Sequence, residues 1–288
     1  MLGSHEFKGR SGQVVAGRYE LLEMIGSGLQ SVVYKAHDRH ENDYVALKVS
    51  EWSDPDASER MFREAYVMCQ LQNTAAVRVL HQCETDDGAT ALVMELLHGA
   101  DLGSVLHLRE GRGERATRSW LTALLEPIVA TLQAAHEHGI VHRDLKAENV
   151  FVIDPREGGG VRLLDFGFAK LTRSPKITAP EAFAGSPGYI APEVWRRGAV
   201  RADARADVYA FGVLVFRILG GRMPFEGSPI ELMRMATMEG RPSLHALRPD
   251  LPADLDAWVV QVLAIEADER FSNIKAAWRA LQGCLEGE

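Results

Sequence analysis

Short runs of apolar residues alternate with polar turns along the first hundred positions of the chain. Three runs rich in Val, Ile, Leu and Tyr predict β-strands at Tyr19–Ile25, Val32–Ala36 and Tyr44–Val49. Two later runs, joined by an Asp-Asp-Gly turn, predict strands at Val77–Glu84 and Ala89–Leu96. Between these groups, helical spacing predicts a helix over Pro55–Leu71 that carries Phe62, Ala65, Tyr66 and Cys69. The pattern therefore predicts a small sheet with one helix.

Helical periodicity dominates beyond His98–Gly99, which we interpret as the joint between two regions. A long helix carries apolar residues on one face from Trp120 to Ala135 and ends at Gly139. Pro127 is predicted to kink this helix or to begin a new one. Later helices are predicted at Ala206–Leu219, Ser228–Met238, Leu255–Leu263 and Ser272–Gln282. Strands followed by helices indicate an α+β fold.

Charge and hydropathy exclude several classes of partner. The 288 residues include 32 basic and 40 acidic side chains, a net charge of −8. This balance disfavours binding to nucleic-acid backbones or to anionic membrane surfaces. The most apolar stretch, Val208–Leu219, is about half as long as a membrane span and contains Arg217. We therefore expect no nucleic-acid partner and no membrane segment within this chain.

The thiols and imidazoles do not form a convincing metal site. The cysteines are odd in number and widely spaced: Cys69, Cys83 and Cys284. They form no disulfide framework and fit a reducing compartment, the cytoplasm. Two of them could bind zinc with His81, but no C-x-x-C pair and no fourth ligand stand at the usual spacing. His136 and His138 lie roughly 200° apart on a helix and cannot chelate one metal, so we interpret them as core or surface residues.

Two features of the predicted sheet suit a polyphosphate. Gly26-Ser27-Gly28 lies in the turn between the first two strands, where a missing Cβ lets the backbone approach phosphates. Ala46 and Lys48 share one face of the third strand, and Glu64 on the following helix could hold the lysine ammonium in place. Each feature alone is weak, because G-x-G turns and surface lysines are common.

The motifs that carry chemistry lie farther along the chain. Val141-His142-Arg143-Asp144-Leu145-Lys146-Ala147-Glu148-Asn149 precedes Asp165-Phe166-Gly167, which precedes Ala191-Pro192-Glu193. In this order and spacing the chain resembles the eukaryotic-type (Hanks-type) serine/threonine protein kinases, in a bacterial form. The resemblance covers about Tyr19–Leu281. It implies a bilobal fold with an N-lobe over 19–97, built on a small antiparallel sheet, and a mainly helical C-lobe over 98–283. The chain opens like a cloning scar, so we expect residues 1–18 to be a disordered tag or linker.

The resemblance implies ATP as the phosphate donor. Lys48, paired with Glu64, would bind the nucleotide phosphates. The other nucleotide-binding positions are expected to be Ile25, Gly26, Gly28, Val33, Ala46, Met94, Glu95, Leu97, Asp101, Phe151 and Asp165.

The resemblance also implies catalytic roles within the loop 142–149. Asp144 would accept or orient the proton of the substrate hydroxyl, with Lys146 beside it. Asn149 and Asp165 would bind Mg²⁺, with Mn²⁺ as a possible substitute. The sequence D-L-K-x-x-N, with its lysine, indicates serine or threonine of a protein substrate as the acceptor.

Further positions are predicted to regulate the enzyme or select its substrate. Arg143 is expected to pair with a phosphate on the activation segment, at Thr178 or, second, at Ser174, placed by autophosphorylation during transient self-association. Ser186 matches the hydroxyl that hydrogen-bonds the catalytic loop. Arg217 is expected to pair with Glu148 and to weaken any preference for basic substrates.

Other matches are structural, and two alternative functions stay open. Asp207 resembles the buried aspartate that anchors the catalytic loop, and Glu193 with Arg270 matches a buried ion pair. The first alternative is a pseudokinase, in which the same fold serves as a nucleotide-binding scaffold. The second is a small-molecule phosphotransferase of a related fold.

Overall fold

The computed structural model describes residues 11–27, 31–50, 57–166, 187–198 and 202–286. The chain divides into two compact units. The first comprises Met1–Gln72 and Ala76–His98, and the second comprises Asn73–Ala75 and Gly99–Glu288. Within the described ranges, every helix is too short or too polar to cross a membrane.

The N-terminal unit is built on one antiparallel sheet. Its strands are β1 (Val14–Val15), β2 (Tyr19–Ser27), β3 (Ser31–Asp38), β4 (Asp43–Ser50), β5 (Val79–Glu84) and β6 (Thr90–Glu95). They lie in the order β1-β2-β3-β4-β6-β5, and each neighbouring pair is antiparallel. The five predicted strands are confirmed to within two residues at each end. The additional strand β1 pairs with β2 and lies inside the segment predicted to be a disordered linker.

The two faces of this sheet carry different side chains. On one face, strands β3, β4 and β6 contribute a continuous apolar cluster: Val32, Tyr34, Ala36, Val45, Leu47, Val49, Ala91 and Val93. The register places the alternate residues together on the opposite face, because Val33 lies opposite Lys48 and Ala46 lies opposite Met94. Strand β4 is buried on both faces from Val45 to Ser50. The buried side chain of Lys48 is therefore carried by a strand whose other face is fixed in the core.

The helix of this unit, α1 (Ala57–Gln70), is rotated relative to the sequence prediction. Phe62 and Tyr66 are 59% and 61% exposed, and Cys69 is exposed as well. The buried side instead carries Met61, Glu64, Ala65 and Met68. These residues are three or four apart and share one face. This face thus combines apolar side chains with the carboxylate that pairs with Lys48.

The C-terminal unit contains a short sheet and most of the helices. Its strands are β7 (Gly99–Asp101), β8 (Val150–Ile153) and β9 (Val161–Leu163), paired antiparallel in that order. Its helices are α2 (Leu102–Gly111), α3 (Arg118–Glu137), α4 (Pro192–Arg197), α5 (Ala204–Gly220), α6 (Pro229–Met238), α7 (Leu244–Leu247), α8 (Asp254–Val262) and α9 (Ile274–Glu286). Helix α3 continues through Pro127 as one element, so the prediction of a new helix at this proline is wrong.

Helix α5 is the core of the C-terminal unit. Thirteen of its 17 residues are buried. Asp203 caps its first turn by accepting a hydrogen bond from the Arg205 amide, and Gly221 ends it with a left-handed φ of 73°. Gly212 is required for close packing, since a Cβ there would lie 2.6 Å from a methyl carbon of Val262. This helix presents the carboxylate of Asp207 inside the unit.

Candidate active site

A buried ion pair joins β4 to α1 in the N-terminal unit. Lys48 Nζ lies 2.7 Å from Glu64 Oε1, and the two side chains are only 11% and 8% exposed. A buried ammonium beside a carboxylate at this distance is held in place by the charge-assisted hydrogen bond. The sequence predicted this partner, and the structure brings the two groups together.

The nucleotide-binding positions predicted for the described part of this unit lie on β2, β3, β4 and β6 or directly after β6, in the sheet that carries Lys48. Val33 lies directly opposite Lys48, Gly26 lies opposite Val33, and Met94 lies opposite Ala46. Small and apolar side chains around one ammonium suit a planar ring whose attached phosphates need a cation. The remaining positions differ in exposure: Ile25 is 48% exposed, Leu97 is half-buried, and the Glu95 carboxylate accepts a hydrogen bond from the Arg78 amide.

The C-terminal unit supplies two further nucleotide positions from a single pair of strands. Asp101 on β7 lies directly opposite Phe151 on β8. Asp101 also caps α2, because its two carboxylate oxygens accept hydrogen bonds from the Ser104 amide and hydroxyl at 2.9 and 2.6 Å. Its carboxylate is thus fixed at the start of α2.

The loop 142–149, predicted to be the catalytic loop and called so below, gathers three polar side chains. The Asn149 amide nitrogen donates to the Asp144 carbonyl at 2.8 Å and to Asp144 Oδ2 at 3.0 Å. Lys146 Nζ lies 3.4 Å from the same Oδ2. These contacts fix the orientation of the Asp144 carboxylate and place a positive charge beside it.

The predicted metal ligands have the chemistry that a hard cation requires. Because the Asn149 amide nitrogen points at Asp144, its Oδ1 points the other way as an oxygen donor. Asp165 is exposed and adds a carboxylate. Its backbone φ of +48° lies in the left-handed region, which costs a residue with a side chain about 1–3 kcal/mol. An amide oxygen and a carboxylate suit Mg²⁺ or Mn²⁺ rather than a thiophilic metal.

Asp207 anchors the catalytic loop from α5. Its Oδ2 accepts from the His142 amide and its Oδ1 from the Arg143 amide, each at 2.8 Å. Arg143 has a left-handed φ of +63°, so these bonds hold the residue before Asp144 in a strained conformation. Burial alone would raise the pKa of Asp207, but the hydrogen bonds from His136 and the Arg143 amide hold it below its ordinary value.

His142 connects the catalytic loop to the strand that leads to Asp165. Its Nδ1 accepts from the Asp144 amide at 3.3 Å, and its Nε2 lies 3.1 Å from the Leu164 carbonyl. Its ring packs against Phe166 with a centroid distance of 4.7 Å. Burial lowers the pKa of His142, so the ring is neutral and Nε2 carries the proton donated to Leu164.

A second buried pair anchors α4. Arg270 donates from Nη1 and Nη2 to the two oxygens of Glu193 at 2.9 and 2.6 Å. The arginine side chain is fully buried and also donates to the carbonyls of Ala264 and Arg205. This bidentate geometry fixes the start of α4, whose first residues belong to the Ala-Pro-Glu motif.

The predicted pairing of Arg217 with Glu148 is wrong. Both terminal nitrogens of Arg217 bind the carboxylate of Glu110, with an Nη2–Oε2 distance of 3.1 Å. The cause is the packing of the helices: Arg217 lies in the last turn of α5, and Glu110 lies in the last turn of α2. Glu148 remains exposed on the catalytic loop.

Arg143 has the environment of an anion-binding side chain. Its Nη2 donates to the Ala202 carbonyl at 3.3 Å, and its buried Nε has no hydrogen-bond partner among the described residues. Burial lowers the pKa of Arg143, an effect that the charge of Asp207 opposes. The other predicted regulatory and nucleotide positions, Gly28, Ser174, Thr178 and Ser186, lie outside the described residues.

Sequence reasoning missed one residue of this region. His136, interpreted as an ordinary core or surface residue, lies with Nε2 2.7 Å from Asp207 Oδ2. No short motif links two residues 71 positions apart, so the contact depends on the packing of α3 against α5. The three cysteines are free thiols, and in the described part of the chain no three His, Cys, Asp or Glu side chains are grouped to hold a metal ion.

Comparison with known proteins identifies the family. The protein kinase domain family matches residues 19–278. The chain is 34% identical over 273 residues to the serine/threonine-protein kinase PknL of Mycobacterium tuberculosis, covering 93% of this chain and 66% of that protein. It is 30% identical over 269 residues to the probable serine/threonine-protein kinase PknB of Lactococcus lactis, covering 92% of this chain and 41% of that protein.

A solved structure agrees with these matches. The kinase domain of Mycobacterium tuberculosis PknI superposes with a TM-score of 0.71 at 26% identity, covering 95% of this chain and 98% of that one. The chain spans about two fifths to two thirds of the length of the two curated relatives. The lysine–glutamate pair, the catalytic loop and the aspartate that anchors it all occur on this fold, and the chain belongs to the protein kinase family as a Hanks-type kinase domain of the bacterial kind.

Proposed function

We propose that this domain transfers the γ-phosphate of ATP to serine or threonine hydroxyls of proteins. The main support for this function is the cluster in which Asn149 and Lys146 both contact the carboxylate of Asp144. Such a carboxylate is oriented to accept the proton of an attacking hydroxyl. The relatives named as serine/threonine-protein kinases support the choice of acceptor.

The chain supplies position and charge, which phosphoryl transfer chiefly requires. Lys48, held by Glu64, binds the phosphates of ATP. Lys146 neutralises negative charge at the transferred group from its place beside Asp144. A divalent cation, when bound by Asn149 and Asp165, neutralises the charge that phosphate oxygens carry during transfer. Mg²⁺ is the expected ion, with Mn²⁺ as its substitute.

One transfer experiment distinguishes the proposed kinase from the two alternatives, a nucleotide-binding scaffold and a small-molecule phosphotransferase. The purified chain is incubated with ATP, with Mg²⁺, Mn²⁺ or EDTA, and with a denatured acceptor protein. Phosphoserine and phosphothreonine are expected with either metal and not with EDTA, and Asp144→Asn should abolish both products. ATP binding without transfer would identify a scaffold. Transfer only to small hydroxyl compounds would identify a small-molecule phosphotransferase, and phosphotyrosine alone would overturn the choice of acceptor.

We propose further that the domain phosphorylates its own activation segment at Thr178, with Ser174 second. The supporting observation is Arg143, whose buried Nε has no partner among the described residues. A phosphate carries close to two negative charges and offers several acceptors to such a guanidinium. The free thiols and the use of ATP favour the cytoplasm as the place of action, and protein substrates, including transiently a second copy, as partners.

Mass spectrometry tests the phosphorylation site. Wild-type protein and the Asp144→Asn variant are produced in the same way, and Thr178 phosphate is expected only in the wild type. Thr178→Ala should slow transfer to an added substrate more than Ser174→Ala does, because Ser174 is only the second candidate site. Fully active enzyme with an unmodified Thr178 would refute this proposal.

A further inference from the structure

A cleft of about 320 Å³ lies within the C-terminal unit. It is lined by the end of α2, the loop to α3, the first turn of α3, the end of α5 and Arg248, which follows α7. Among the described residues that line it, none belongs to the catalytic loop or to the predicted nucleotide positions. A cleft of this volume is large enough to hold a few side chains of a bound molecule.

The cleft combines an apolar lining with an arginine that stacks on an indole. Leu106 and Leu219 are buried, and Trp120, which is half-buried, lines the same cleft. The Arg109 guanidinium lies 4.6 Å from the centroid of the Trp120 ring and donates to the Arg115 carbonyl at 3.1 Å. An apolar side chain that enters the cleft therefore meets surfaces that already have fixed positions.

The cleft and its immediate surroundings carry an excess of positive charge. Among the described residues, five arginines there are in ion-pair contact with three carboxylates. The contacts are those of Arg109 and Arg112 with Glu114, of Arg217 with Glu110, and of Arg115 and Arg248 with Asp250. Two positive charges are thus left over, and a concave surface with such an excess favours an anionic partner.

Arg115 is the cation that such a partner can reach. Its side chain is 64% exposed, and its one ion-pair contact among the described residues joins Nη1 to Asp250 at 3.1 Å. Arg248 binds the same carboxylate through Nε and Nη2 and is only 12% exposed, so Asp250 is neutralised without Arg115. An arriving carboxylate can therefore pair with Arg115 without leaving another charge unpaired.

Helix α2 connects this cleft to the catalytic loop. In its first turn, a Cβ at Gly103 would lie 3.9 Å from Ala147 Cβ and from a carboxylate oxygen of Glu148. In its last turn, Glu110 lines the cleft. The two turns are separated by about 10 Å of helix, which an extended peptide crosses in about three residues. A protein whose hydroxyl lies at Asp144 can thus reach the cleft with the same chain.

We propose that this cleft is a second binding site for the protein substrate, and that it takes an acidic residue next to a large apolar one, at least about three positions from the phosphorylated hydroxyl. The substrate carboxylate pairs with Arg115, and the apolar side chain enters the cleft beside Trp120. The kinetic consequence rests on the proposed function, whereas the binding of an acidic peptide is independent of phosphate transfer.

A series of peptides tests the site. Each peptide carries one serine acceptor and a Glu-Leu pair placed about three to eight positions before or after it, with Gln-Leu, Lys-Leu and Glu-Ala peptides as references. Phosphate transfer gives kcat and KM, and calorimetric titration without ATP gives Kd.

The peptides are compared on the wild type and on three variants. Arg115→Glu reverses the charge in the cleft, and Arg115→Lys keeps it. Arg39→Glu is the matched control, because it changes the net charge of the protein by the same amount. Arg39 is 47% exposed and pairs with Glu20 in the N-terminal unit.

The proposal predicts a specific pattern of results. At the preferred spacing, the wild type should have a KM about fivefold lower for Glu-Leu than for Gln-Leu at equal kcat, as expected for one charge pair at a protein surface. Arg115→Lys and Arg39→Glu should keep this preference, whereas Arg115→Glu should lose it and favour Lys-Leu. Glu-Ala should bind more weakly than Glu-Leu, because its methyl group buries less apolar surface. The Kd values should follow the same order.

The possible failures are distinguishable. Equal KM and Kd for Glu-Leu and Gln-Leu at every spacing would overturn the proposal. So would a preference for Glu-Leu that survives in Arg115→Glu or that disappears equally in Arg39→Glu. A Glu-Ala peptide that binds as well as Glu-Leu would refute the apolar part of the site. If the wild type transfers no phosphate, the proposed function fails, and the Kd values alone then decide whether the cleft binds acidic peptides.

Discussion

Replacing Lys48 with methionine should abolish phosphoryl transfer and also weaken the N-terminal unit. Methionine keeps most of the volume of the lysine side chain, so packing around β4 changes little. It removes the ammonium that lies 2.7 Å from Glu64 Oε1, at a place where both side chains are almost fully buried. Loss of transfer and loss of stability are therefore expected together, and a single variant cannot separate them.

The size of each effect follows from the burial of the pair. Removing one partner leaves the other charge buried and costs about 3 kcal/mol of unfolding free energy. For a domain of this size that corresponds to a Tm lower by roughly 6–12 °C. Removing a group that stabilises transition-state charge lowers kcat by at least about a hundredfold.

A second substitution separates these two effects. In Lys48→Met/Glu64→Gln the buried charge is removed as well, so most of the lost Tm should return while transfer stays absent. Lys35→Met is the matched control. This lysine lies on the neighbouring strand with 30% of its side chain exposed, 3.8 Å from the exposed Glu23 carboxylate. Pairs of this kind contribute about 0–1 kcal/mol, and kcat should be unchanged.

The assay is transfer of labelled phosphate from ATP to an acceptor protein, measured beside thermal unfolding of the same samples. The assignment of Lys48 would be refuted if Lys48→Met kept about a tenth of the wild-type rate. The electrostatic explanation of its stability effect would be refuted if the double variant melted as low as the single one.

Three further predictions concern packing, pH and substrate choice. Gly212→Ala places a Cβ 2.6 Å from a valine methyl carbon of α8 and should lower the unfolding free energy by about 1–3 kcal/mol in denaturant titrations. Gly283→Ala has open space around its Cβ and should raise the unfolding free energy by about 0.5–1 kcal/mol, because alanine favours a helix more than glycine does. Burial lowers the pKa of His142, so as the pH falls this imidazole binds a proton in the unfolded chain at a higher pH than in the folded one. The unfolding free energy should therefore fall as the pH drops below about 6.5, and it should fall less steeply in His142→Gln than in the wild type. Arg217→Glu removes the cation now paired with Glu110 and should strengthen any preference for basic peptides on an array, a result that an unchanged profile would contradict.

Strand positions could be predicted from the sequence, but the buried face of α1 could not. Alternation of apolar residues locates strands because every second side chain of β3 and β4 enters the core. The same counting selected Phe62 and Tyr66 as the apolar residues of α1, and both are exposed. The count also left out Glu64, because a buried carboxylate is recognised by its partner, Lys48, and not by apolar periodicity.

Helix α3 shows the same limit. Proline removes an amide donor and favours a break. The helix nevertheless continues, because residues on both sides of Pro127, including Leu124 and Ile128, are buried. Tertiary packing thus outweighs local propensity.

Short motifs predicted the candidate site well where its contacts are local. Asp144, Lys146 and Asn149 lie within six consecutive positions, so one loop brings them together. Contacts between distant segments were predicted where the family resemblance implied them, as for Glu193 with Arg270, but the partner of Arg217 was predicted wrongly and that of His136 was missed. Arg217 pairs with Glu110 across 107 positions, and only the arrangement of helices selects this partner over another nearby carboxylate.

The rotated face of α1 offers a labelling site. Cys69 is exposed on the helix that carries Glu64, whereas burial raises the pKa of the Cys83 and Cys284 thiols and keeps them protonated and less reactive. A maleimide fluorophore added at neutral pH should therefore attach first to Cys69, without any engineered substitution. Its emission would report on the surroundings of the helix that carries Glu64, the partner of Lys48, so a change there on addition of ATP could be followed in real time.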